Sequence, residues 1–82
     1  MEVMFKGGSE IVRMIIDRNS KSLQVASSKT NYSLQKMPWK MLFDKGKEDQ
    51  QEKITDGMDD VQFRQAIVSS MAQIGYFEKN GL

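Results

Sequence analysis

The chain has 82 residues, a net charge of +1, and neither cysteine nor histidine, which excludes thiol chemistry, imidazole acid–base catalysis and the usual zinc ligand sets. A folded chain of this size buries only about 60% of the surface its unfolded form exposes, so one small core is expected. With disulfides and structural zinc ruled out by composition, self-association is the supplement still open to that core.

Val3 and Phe5 alternate with Glu2, Met4 and Lys6, and Gly7-Gly8 offers the positive φ angles of a tight hairpin turn. A second strand over residues 10–17 reads Glu-Ile-Val-Arg-Met-Ile-Ile-Asp, apolar on both sides and rich in β-branched residues, which predicts an inner strand covered on each face. Arg13 is its odd member, expected either at a solvated edge or paired with Glu2 or Glu10. Turn chemistry from Asp17 to Lys21 leads into a half-buried strand in which Leu23 and Val25 alternate with Gln24 and Ala26. After a second turn at 27–31, a strand over about 32–36 puts Tyr32 and Leu34 on one side.

Two readings compete for 38–45. Pro38 suits the first position of a short helix carrying Trp39, Leu42 and Phe43, with Gly46 as its cap. The longer alternation of Met37, Trp39, Met41 and Phe43 favours a continued strand. Residues 46–54 are polar without periodicity and predict a surface loop dividing sheet from helix.

The C-terminal region predicts an amphipathic helix within 55–80. Asp59 with Gln62 forms a capping pair, Asp56 and Asp60 oppose the dipole, and Lys79 with Asn80-Gly81 closes the other end. Phe63, Ile67, Met71 and Ile74, flanked by Ala66, Ser70 and Phe77, form the stripe expected on the sheet, while Val61, Val68 and Ala72 fall roughly opposite. The fold class is therefore α+β in a single domain: a three- to four-stranded, mainly antiparallel sheet with one C-terminal helix on one face.

Charge is unevenly spread. Residues 1–47 carry nine basic and four acidic side chains, whereas 48–82 carry three and seven. No apolar run predicts a secretory signal or a membrane span, so the cytoplasm is the expected compartment. The leading functional expectation is a non-catalytic protein-binding or assembly module of adaptor or inhibitor type, self-associating or binding a protein partner through Val61, Val68, Ala72 and Tyr76. The alternative is nucleic-acid contact by the basic half through Arg18, Lys21, Lys29, Lys36, Trp39 and Lys40. Catalysis ranks third: Gly7-Gly8-Ser9 lacks the spacing and lysine of a phosphate loop, and no imidazole exists to activate Ser9. The acidic residues between Glu48 and Asp60 miss the EF-hand spacing, so neither metal nor cofactor is expected. Seven methionines, Met37 and Met41 among them, suit either an adaptable docking surface or gap-filling in a small core.

Overall fold

The computed structural model describes residues 1–79. The alternation of Val3 and Phe5 is realised as strand β1 (Glu2–Gly7), which pairs antiparallel with β2 (Glu10–Asp17), Gly7 facing Glu10. Of the two glycines only Gly8 has a positive φ, at 62°. Gly7 is required for another reason: a Cβ there would lie 2.5 Å from Cδ1 of Tyr76. Strand β3 (Ser22–Ser27) pairs with β2, and β4 (Leu34–Met37) pairs with β3, both antiparallel.

Four consecutive strands thus form a meander. The chain then crosses one face through helices α1 (Glu48–Asp56) and α2 (Asp60–Gln73) before β5 (Phe77–Glu78) pairs antiparallel with β1. The sheet order is β4-β3-β2-β1-β5, so the class is α+β with five strands and two helices, where three or four strands and one helix were expected.

Three corrections have identifiable causes. Residues 38–45 do not continue β4. Pro38 ends the strand, and a 3-10 turn at Trp39–Leu42 follows, closed by hydrogen bonds from Met41 N–H to Pro38 C=O and from Phe43 N–H to Lys40 C=O. The polar stretch expected as a loop contains α1. Only Thr55 of that helix is buried, so no apolar stripe signals it. Its attachments are polar instead: Gln51 bonds both the backbone N–H and the carboxylate of Asp44, and Glu52 takes the Lys21 ammonium at 2.5 Å. Finally, the C-terminal helix is shorter than 55–80. Gly57 and the Asp59 cap separate it from α1, and Gly75 at φ 89° ends it. Tyr76 N–H bonds Met71 C=O and Gly75 N–H bonds Ala72 C=O, the paired bonds of a Schellman stop. Asn80 and Gly81, expected to close the helix, lie outside the described residues.

The core lies between the sheet and the helices. Val3, Phe5, Val12, Met14, Ile16 and Leu23 point to that side, where they meet Leu42, Phe43, Phe63 and Ile67. The opposite sheet face carries Glu2, Met4, Lys6, Ile11, Arg13, Ile15 and Asp17 by strand alternation, with Ala26 buried among them, and the buried side chains of α2 pack on the other face. β2 is therefore inner in the sheet but covered on one side only, and Ile11 and Ile15 are half-buried. Arg13 resolves its ambiguity by pairing with Glu2.

Candidate functional site

The floor of the main concavity is laid by β2 and β3, whose Val12, Met14, Leu23 and Val25 face the helix side. One wall is α2, through Ile67, Ser70, Met71 and Ile74. The other is the segment from Met41 to Lys45, which the proline-initiated turn lifts off the line of β4. Between them lies a groove of about 380 Å³, a volume within the range of ligand pockets. Its lining is largely aliphatic and aromatic, with Asp44, Lys45, Ser70 and Tyr76 as the polar members. Two rim side chains are strongly exposed, Met41 at 54% and Ile74 at 67%. Ile74 is the residue that follows the end of α2 at Gln73.

Tyr76 fixes one end of the groove. Its hydroxyl donates to Oε1 of Glu10 at 2.5 Å, while the Ser27 hydroxyl donates to Oε2 at 2.5 Å and the Lys29 ammonium stands 3.8 Å from Oε1. These contacts tie the C-terminal return to the starts of β2 and the β3–β4 turn. The hydrogen bond from Ser27, then that from Tyr76, holds the Glu10 carboxyl below its ordinary range. The same bond from Tyr76 to Glu10 raises the phenol above its own. Both groups are thus committed to each other, not poised for proton transfer to a ligand.

The structure disperses the four residues read from the sequence as a partner interface. Val61 is 70% exposed in the first turn of α2, but Val68 packs against the chain's own core and Ala72 is half-buried. The cause is β5, which contacts α2 and brings Glu78 into an ion pair with Arg64. Tyr76 packs on the core and is anchored by Glu10. Sequence periodicity set Val61, Val68 and Ala72 roughly opposite the core stripe, whereas Val68 packs on the core and Tyr76 lies beyond the helix end. It missed the returning strand, whose signal was Gly75 inside an apolar run.

Three basic residues of the first half are matched by acidic residues from the second, and Lys29 by one from its own half. Arg18 pairs with Asp60 at 3.1 Å, Lys21 with Glu52, and Lys40 with Asp49 at 3.7 Å; Lys29 reaches Glu10. Arg18 also donates to the carbonyls of Thr55 and Met58 and lies over the Phe63 ring. Trp39 stacks on Phe63 with centroids 6.1 Å apart and meets Phe43 edge-on at 6.2 Å, and its indole N–H is buried with no acceptor among the described residues. Of the six residues expected to touch nucleic acid, Lys36 alone has no ionic or aromatic partner among the described residues.

No family model, curated protein or solved structure matches the chain. Among the described residues no group of three or more acidic side chains is arranged to hold a metal ion, and no helix is long and apolar enough to cross a membrane.

Proposed function

We propose that this chain is a small non-catalytic protein-binding module whose partner seats apolar side chains of an amphipathic segment in the groove between α2 and the sheet. The exposed pair Met41 and Ile74 at the mouth of an apolar concavity carries this reading. Apolar grooves of this kind accept a helix through residues spaced three and four apart, and flexible methionines let the lining adapt to the shape that enters. Met14, Met41 and Met71 all line the groove. Of the polar residues beside it, the Tyr76 hydroxyl is held by Glu10, a bond that raises the phenol above its ordinary range and keeps it protonated and weakly nucleophilic.

The test places a photo-crosslinking side chain at Ile74 in cells. The expected result is one dominant protein adduct that disappears when Met41→Glu is added and is not formed from a crosslinker at Lys53. An adduct of twice the chain's mass, accompanied by dimer in light scattering, would make a second copy the occupant. Adducts unaffected by Met41→Glu would overturn the groove as the docking site.

A further inference from the structure

The sheet face turned away from the helices has a composition of its own. Strand register sets Phe77 of β5 opposite Lys6 of β1, and Lys6 opposite Ile11 of β2. At the other end of the same face, Lys36 of β4 lies opposite Gln24 of β3, which lies opposite Ile15 of β2. Lys79 continues the spacing of two after Phe77, its N–H bonded to Met4 C=O at 2.8 Å. Phe77 is 61% exposed.

Electrostatics distinguishes this face from the rest of the surface. Around the helices Arg18, Lys21 and Lys40 are each matched by a carboxylate, and Lys45, Lys47 and Lys53, which form no ion pair among the described residues, stand in the segment that carries Asp44, Glu48, Asp49, Glu52 and Asp56. On the uncovered side the carboxylates of the described strand residues are Glu2, which Arg13 occupies, and Asp17 at the end of β2, which accepts from the Asn19 and Ser20 backbone N–H groups. Lys6, Lys36 and Lys79 form no ion pair among the described residues. Excess positive charge is thereby gathered around an apolar sheet centre, with an aromatic ring exposed beside two of the lysines.

We propose that this uncovered sheet face binds single-stranded nucleic acid, with Lys6, Lys36 and Lys79 neutralising phosphates and Phe77 stacking on a base. A strand with splayed bases offers both features the face selects, regularly spaced negative charge and flat apolar rings. A duplex hides its ring faces in its own stack, and an acidic peptide supplies charge without rings for Phe77. This surface is separate from the groove of the proposed protein-binding function, so either can fail without the other.

The experiment follows the anisotropy of a fluorescein-labelled oligothymidylate of about a dozen nucleotides, a length within the footprint of sheet-based single-strand binders. Each phosphate neutralised on a single strand contributes about −0.7 to the slope of log affinity against log salt, so three lysines give a slope of about −2. Lys6→Gln and Lys36→Gln each flatten that slope by about 0.7. Phe77→Ala weakens binding about tenfold and leaves the slope unchanged. All three side chains are exposed, and unchanged Trp39 emission and melting temperature certify that the variants fold. Flat anisotropy at low salt, indifference to Phe77→Ala, or equal competition by polyglutamate, duplex or anionic lipid vesicles would each overturn the proposal.

Discussion

The guanidinium of Arg18 lies 4.4 Å from the centre of the Phe63 ring while donating hydrogen bonds to the Thr55 and Met58 carbonyls. One side chain from the β2–β3 turn therefore caps the end of α1, reaches Asp60 in the first turn of α2, and covers the aromatic core from its polar side. Arg18→Ala removes all of these contacts. It is expected to cost about 2–3 kcal/mol, since hydrogen bonds from a charged donor are the strong class. Arg18→Lys restores the charge without the planar fork and recovers only part of the loss. Urea unfolding followed by Trp39 fluorescence measures both, and an unchanged midpoint for Arg18→Ala would refute the assignment.

Gly7 and Tyr76 are coupled by space. An added Cβ at Gly7 meets Tyr76 Cδ1 at 2.5 Å and Cε1 at 2.6 Å, so Gly7→Ala forces the ring off Glu10 or bends the hairpin. The expected penalty is about 1–3 kcal/mol, the usual cost of overpacking. In a Tyr76→Ala background the same substitution becomes nearly neutral. A double-mutant cycle with no coupling would show that the ring does not set the requirement for glycine.

The hydrogen bonds that Ser27 and Tyr76 donate to Glu10 make stability depend on pH at both extremes. Glu10 titrates below its ordinary value of 4.5 in the folded chain, so its contribution is complete above that value and is lost as pH falls through the folded pKa. Tyr76 titrates above its ordinary value of 10.0, so its contribution is complete below that value and is lost as pH rises through the folded pKa. The stability gap between the parent and Glu10→Gln should narrow on acidification below 4.5, and the gap to Tyr76→Phe should narrow on the alkaline side. Parallel stability curves for parent and variant in either window would contradict the corresponding half.

Asp59 and Gln62 form a reciprocal capping box at the start of α2, at 2.8 and 3.2 Å. Asp59→Ala should cost about 1 kcal/mol and Asp59→Ser much less, because serine also caps. Equal losses in chemical denaturation would mean that the Asp59 charge, and not its cap bond, supports the helix.

The capping box, the first three strands and the Phe63–Ile67 core stripe were legible because each is written in local pattern: period two, period three to four, or a cap at fixed spacing. α1 was not, because its attachments are polar and leave no apolar period. β5 was not, because a two-residue strand carries too little alternation to register, and its cue was a single glycine at position 75. The groove itself depends on both of these features: it exists where Gly75 ends α2 and Pro38 diverts the chain from β4. Opposite charge in the two halves was visible from the sequence. Its internal use, through Arg18 with Asp60 and Lys21 with Glu52, depended on a fold that sets the second half over the first.

The pairing of Phe77 and Glu78 closes one side of β1. Without it the strand holding Phe5 would present a bare row of amides and carbonyls, a ready template for another chain. Two residues that add little to the interior thus put a two-residue edge where a six-residue one would stand.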